Sequence, residues 1–293
     1  MCDELTELSN EEHFDAGDLS RRGFAFMSAA ALAACATSPE NAKGVTEQEI
    51  EITTADGTMD AHFVAPASGK HPAVLVWPDI RGLRPAFRVM GKRLAESGYA
   101  VLTVNPFYRS QKGQVFDATT EKFSDPPVRA RLVPMMQAAT SNPENTKKDA
   151  TAAIAWLDKQ KQVDTSKGIG TTGYCMGGPL VMRTMAFAPD RVKAGGSFHG
   201  GGLATAAPTS PHLLVPQMKS KAVLIAVAEN DDKQDPTVKD KVRDAFAAAS
   251  IPAEIEVYPA QHGWCPPDSQ VFDQVQADRA WGRLLATFEK GLA

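Results

Sequence analysis

The run Gly168-Ile169-Gly170-Thr171-Thr172-Gly173-Tyr174-Cys175-Met176-Gly177-Gly178 decides how this chain is read. Its first half predicts a short strand, and Pro179-Leu180-Val181-Met182-Arg183-Thr184-Met185-Ala186 after it predicts a helix. Between them lies G-x-C-x-G, a sharp strand-to-helix turn with Cys175 at its apex. A residue forced onto such a turn has crowded backbone neighbours, so glycine two positions before and two after relieves the clash. The helix N-terminus behind the turn favours a thiolate. The competing reading is structural, because free cysteine most often packs as a small buried hydrophobe.

Working outward, the chain alternates strands and helices. Ala73-Val74-Leu75-Val76-Trp77 is a continuous apolar run, the pattern of a strand covered on both faces. Further strands are predicted at 99–104, 167–172, 192–198, 222–227 and 254–258, with helices over 84–97, 127–140, 143–161, 236–249 and 269–290. Ahead of these, 47–55 and 59–65 alternate apolar and polar residues around Asp56-Gly57, a hairpin signal. The pattern predicts a single α/β domain over 47–293: a mostly parallel, doubly wound sheet that opens with an antiparallel hairpin. In such sheets the chemistry lies beyond the carboxyl ends of the strands.

At 293 residues, 43% hydrophobic and 23% charged, the composition is that of a globular protein. The net charge of −4 is concentrated at the start, where residues 1–35 hold seven acids and two arginines; the remainder has 28 acids and 29 bases. A near-neutral body excludes nucleic acid as a partner, since binding it needs a concentrated basic patch. Cys2, Cys35, Cys175 and Cys265 show no metal spacing and are too few for a disulfide scaffold, so neither metal nor cofactor is expected.

Residues 1–35 resemble an export leader. Arg21-Arg22 precedes a short alanine-rich segment that closes on Leu32-Ala33-Ala34-Cys35, similar to a twin-arginine signal ending in a lipobox. The resemblance implies lipidation at Cys35, a tether over 36–46 and a periplasmic or membrane-anchored protein held only by that lipid. The acidic stretch before the arginines favours the alternative, a cytoplasmic enzyme with an N-terminal helix.

Reactive residues follow four predicted strands: Asp79, Cys175, Asp231-Asp232 and His262. Separately, Asp231 and Asp232 could cap the helix at 236, and His262 could be an ordinary turn histidine. Together, nucleophile, acid and histidine follow the chain order of α/β-hydrolases. Four motifs then carry a family resemblance: Gly173-Tyr174-Cys175-Met176-Gly177-Gly178, Trp77-Pro78-Asp79-Ile80-Arg81-Gly82, Ala228-Glu229-Asn230-Asp231 and Tyr258-Pro259-Ala260-Gln261-His262-Gly263-Trp264. Over about residues 47–290 the chain resembles the dienelactone hydrolase (carboxymethylenebutenolidase) family.

That resemblance implies an α/β-hydrolase fold, a monomer and cleavage of a small lactone or carboxylic ester. Cys175 would be the nucleophile, His262 the base and Asp231 its orienting acid, with the backbone N–H groups of Ile80 and Met176 as oxyanion donors. Asp79 stands where the family has glutamate, a residue associated with thiol activation, and is one methylene shorter. Arg81, Tyr108, Arg109, Tyr174 and Trp264 are the candidates for substrate contact, within a pocket expected from loops at 80–90, 105–126 and 200–216. His199, after an earlier strand, is the rival base. Two other readings stay open: a thiol redox protein using Cys175 and Cys265, and a binding protein on a hydrolase fold without turnover.

Overall fold

Both faces of the central strands are covered, which is why β3 (Ala73–Trp77) and β4 (Ala100–Val104) are buried at every position. The computed structural model describes Asn10 and residues 44–293. Apart from Asn10, the expected leader with Cys35, and most of the tether expected over 36–46, lie outside the described residues. Eight strands form one sheet in the order β1-β2-β4-β3-β5-β6-β7-β8. β1 (Val45–Thr54) and β2 (Gly57–Pro66) pair antiparallel, and β2 joins β4 antiparallel. From there β3, β5 (Ile169–Tyr174), β6 (Val192–Phe198), β7 (Ala222–Ala228) and β8 (Ala253–Tyr258) run parallel.

The period-two alternation of strand side chains divides the core into two layers. Leu75, Trp77, Leu102 and Val104 point to one face. There they meet Leu157 of α3 (Pro143–Leu157), Leu180 and Val181 of α4 (Gly177–Phe187) and Phe246 of α6 (Thr237–Ala248). Val74, Val76 and Val101 point to the other face. They pack with Phe87 and Leu94 of α1 (Pro85–Glu96) and Leu284 and Phe288 of α7 (Gln274–Leu292). Of the remaining helices, α2 (Pro126–Thr140) places Leu132 and Met136 in the first layer, and α5 (Glu229–Gln234) is a short helix directly after β7.

Local signals set most boundaries. Proline opens α1, and Asn142 Oδ1 accepts from Glu144 N at 3.0 Å to start α3. Three expectations are corrected. The hairpin turn is Ala55-Asp56, since Gly57 already pairs with Thr54. Asp231 and Asp232 lie in α5, not at the start of α6, whose N-cap is Pro236. The last helix starts at Gln274, not at 269, because Asp273 Oδ1 accepts from Gln276 N at 2.9 Å and ends the preceding loop there.

The parallel strands β3, β5, β6, β7 and β8 end towards one edge of the sheet, so Asp79, Cys175, His199, Asp231 and His262 emerge on that edge. The scaffold is tested at Leu75, which is fully buried in the centre of β3. Leu75→Ala removes three buried heavy atoms in a rigid layer and is expected to lower unfolding stability by about 3 kcal/mol, measured by urea denaturation.

Candidate active site

The turn after β5 is a site of close backbone approach. A Cβ on Gly177 would lie 2.4 Å from the carbonyl oxygen of Trp77, and one on Gly173 would lie 2.4 Å from the carbonyl oxygen of Gly177. No side chain fits either place, so both glycines are steric requirements. Cys175 between them has φ +54°, a left-handed conformation that non-glycine residues seldom adopt. Its backbone N–H donates to Phe198 O at 3.0 Å and to His199 Nδ1 at 3.1 Å, which holds the apex against the end of β6. Met176, the next residue, is the N-cap of α4, so the positive end of that helix lies beside the sulfur.

His262 Nδ1 donates to Asp231 Oδ2 at 2.7 Å. The carboxylate can only accept, so the bond places a histidine proton on Nδ1. Asn230, which sequence reasoning did not single out, holds the same histidine by its backbone: Asn230 Oδ1 accepts from His262 N at 2.8 Å. Asn10 joins this group, with its Nδ2 donating to His262 O at 2.9 Å and its Oδ1 accepting from Asn230 Nδ2 at 3.2 Å. Asp232 turns away to accept from Lys239 Nζ at 2.6 Å, so only one of the two aspartates serves the histidine.

A cavity of about 260 Å³ brings together Cys175, His262, His199, Asp79, Ile80 and Arg81. Phe116, Phe123, Asp268, Ser269 and Val271 also line it. The loop at 200–216 does not line it. Its place is taken by residues 263–271, which the expected helix from 269 had concealed. Among the described residues, no group of three or more His, Cys, Asp or Glu side chains is placed to hold a metal ion.

Asp79 lies deep in this wall but is committed to arginine. Arg84 donates through Nη1 to Asp79 Oδ1 at 2.7 Å and through Nη2 to Oδ2 at 3.0 Å, while Arg81 N donates to Oδ1 at 2.8 Å. Arg84 also holds Asp268, with Nε to Oδ2 at 2.6 Å and Nη2 to Oδ1 at 2.8 Å. Burial alone would raise the Asp79 pKa, but Arg84 and then Arg81 outweigh it and hold the carboxyl well below its usual range. A carboxylate so held is a poor proton acceptor. Its geometry makes it an anchor of the 79–84 turn. Arg84 and Asp268 were missed because one precedes an ordinary helix and the other lies in a proline-rich loop, so neither forms a local motif.

The other candidates for substrate contact divide. Arg81 lines the cavity, whereas Tyr108, Arg109, Tyr174 and Trp264 do not. Tyr108 OH and Arg109 both bind Asp149, and Arg109 also binds Asp56; these contacts tie the β1–β2 turn to α3. Tyr174 stacks on Phe198 and Trp264 on Tyr258 within the core. Ile80 lines the cavity, and Met176, buried next in the chain to Cys175, does not. Cys265 is a free, buried thiol, so it is not joined to Cys175, and burial pushes its pKa well above the usual value. Cys175 itself is held in a disulfide in this structure.

The model of the dienelactone hydrolase family matches residues 59–292. The chain belongs to the dienelactone hydrolase family. A relative from Methylorubrum extorquens is 27% identical over 274 residues, 92% of this chain and 89% of its own length. The carboxymethylenebutenolidase of Rhodococcus opacus is 27% identical over 233 residues, covering 77% of this chain and 83% of that enzyme. Among solved structures, a dienelactone hydrolase-like promiscuous phosphotriesterase from metagenomic libraries superposes with a TM-score of 0.70 at 22% identity, over 85% of this chain and 99% of its own. That likeness concerns the fold. With its family, the chain is a dienelactone hydrolase-like hydrolase on the α/β-hydrolase fold.

The buried ion-pair cluster yields a stability prediction. Asp79→Asn leaves Arg84, which is 1% exposed, with Asp268 alone, and is expected to cost about 3 kcal/mol at neutral pH in chemical denaturation. Because the folded pKa is depressed, the contribution of Asp79 is complete above its unfolded pKa of about 4 and is lost as pH falls below that. The gap between wild type and Asp79→Asn should therefore narrow in acid.

Proposed function

We propose that this hydrolase cleaves a small carboxylic ester or lactone with Cys175 as nucleophile, His262 as base and Asp231 orienting the base. One observation carries the reading: the 2.7 Å bond from His262 Nδ1 to Asp231, formed in the same cavity that receives Cys175 from its strained turn. With Nδ1 donating to Asp231, Nε2 is the ring nitrogen assigned to the general base in this reading.

In the proposed reaction His262 Nε2 takes the Cys175 proton, and the sulfur attacks the substrate carbonyl to form a tetrahedral oxyanion. The N–H groups of Met176, at the head of α4, and Ile80 are the donors proposed for that oxygen. Collapse expels the alkoxide, which receives the proton from His262. Water, deprotonated by His262, then attacks the thioester and releases the acid and the thiol. Asp231 holds the imidazole tautomer throughout and stabilises its charged form. The wall chemistry supports a compact substrate: Phe116, Phe123 and Val271 are apolar, and Arg81 and Lys122 are the cations among the lining residues. Arg81 is already paired with Asp79 and Asp268, so Lys122 is the lining cation proposed to meet a negatively charged group on the substrate.

The reacting form is the thiol, so reduction of the Cys175 disulfide must come before turnover. Hydrolysis of p-nitrophenyl acetate is expected only after dithiothreitol treatment. Cys265→Ser should leave that requirement in place, since Cys265 is not the partner. With reduced protein, mass spectrometry after a p-nitrophenyl acetate pulse should find an acyl group on Cys175. Cys175→Ala with wild-type turnover would exclude the mechanism. Asp231→Asn should bind substrate normally and lose up to about 10⁴-fold in kcat, read from steady-state kinetics.

A further inference from the structure

His199 is fully buried at the end of β6, lines the cavity, and has φ +40°. A left-handed backbone at a bulky residue is uncommon and points to a local demand on the side chain. That demand is visible: Nδ1 accepts from the backbone N–H of Cys175 at 3.1 Å. A backbone N–H is always a donor, so Nδ1 must carry its lone pair and the ring proton must lie on Nε2. Neither nitrogen is then able to take a proton from the thiol without giving up the bond to Cys175.

The same ring meets the base. Its centroid is 4.9 Å from that of His262 with the planes at 62°, and 5.0 Å from that of Trp264 at 65°. Edge-to-face contacts of this kind fix relative orientation and contribute beyond the buried area. Trp264 is in turn stacked on Tyr258, so the ring is backed by the core and not by solvent. His199 N donates to Ala226 O at 2.8 Å, which ties the residue to β7.

We propose that His199 is a positioning residue for the reaction, clamping the backbone of Cys175 through Nδ1 and seating the ring of His262 against its own, without transferring a proton. The inference rests on the reading of Cys175 and His262 as nucleophile and base. Burial, then the neighbouring His262, holds the His199 pKa well below its usual value, and Arg81 adds to this while Asp79 opposes it. The ring is therefore neutral whenever the site works, and presents no charge to the imidazolium that forms on His262.

The test compares His199→Ala, His199→Asn and His199→Phe in reduced protein. Asparagine tolerates positive φ and offers an oxygen to the Cys175 N–H; phenylalanine keeps a ring but no acceptor. Two readouts are needed: the pH profile of Cys175 carboxamidomethylation by iodoacetamide, located by mass spectrometry, and kcat and KM for p-nitrophenyl acetate. His199→Ala should move the alkylation midpoint away from the wild-type value, because the turn that carries the sulfur is no longer held from His199. It should also lower kcat by about 100-fold with KM nearly unchanged. His199→Asn should recover most of both. A His199→Ala profile and kcat equal to wild type would overturn the proposal, and so would a His199→Asn variant as inactive as Cys175→Ala, which would make His199 a proton-transfer group. Alkylation does not depend on the substrate, so absence of esterase activity in the wild type would count against the hydrolytic reading while the His199 comparison still stands.

Discussion

The backbone of Gly177 rests against the carbonyl oxygen of Trp77, with no space for a Cβ, and this contact joins the end of β3 to the first turn of α4. It obliges β5 to turn within a few residues, which lifts Cys175 out of the sheet in a left-handed conformation. The same contact places Asp79 and Ile80, just beyond β3, beside the nucleophile turn in one cavity. Close backbone approach is costly to arrange and leaves little freedom once made. The position of the sulfur therefore follows from the packing of the sheet and not from the flexibility of a loop.

Around that point two networks divide the polar work. Asp79, Arg81, Arg84 and Asp268 form a paired cluster in which two carboxylates face two guanidinium groups. Buried charges of this kind are tolerable only when each is met by its opposite and hydrogen-bonded. The cluster ties the turn after β3 to the loop before α7, and both segments line the cavity. The second network is built from Asp231, Asn230, Asn10 and His262, and it fixes the histidine by both ring and backbone. One network shapes the wall, and the other orients a proton acceptor within it.

The fold was largely legible because its signals are local. Apolar runs such as Ala73–Trp77 and Ala100–Val104 announce strands covered on both faces, and proline and asparagine mark where α1 and α3 begin. The start of α7 was misplaced by five residues because Ser269–Asp273 has no strong breaker, and only the capping bond of Asp273 ends the loop there. Tyr108 and Arg109 looked like substrate contacts since they follow a buried strand in a polar loop. Their partners, Asp149 and Asp56, are distant in sequence, and nothing local indicates that those bonds would consume them.

By itself the sequence determined the order of strands and helices, the glycine-flanked turn at Cys175, and the succession of cysteine, aspartate and histidine along the chain, since the first two are local patterns and the third is chain order alone. Which aspartate meets His262, which arginine holds Asp79 and where His199 directs its ring were decided only by tertiary structure. Asp231 is 31 residues from His262 and His199 is 24 from Cys175, and even Arg84, five residues from Asp79, meets it only through the turn between them. Geometry at hydrogen-bond range, set by how the strand ends assemble, is what selects between them.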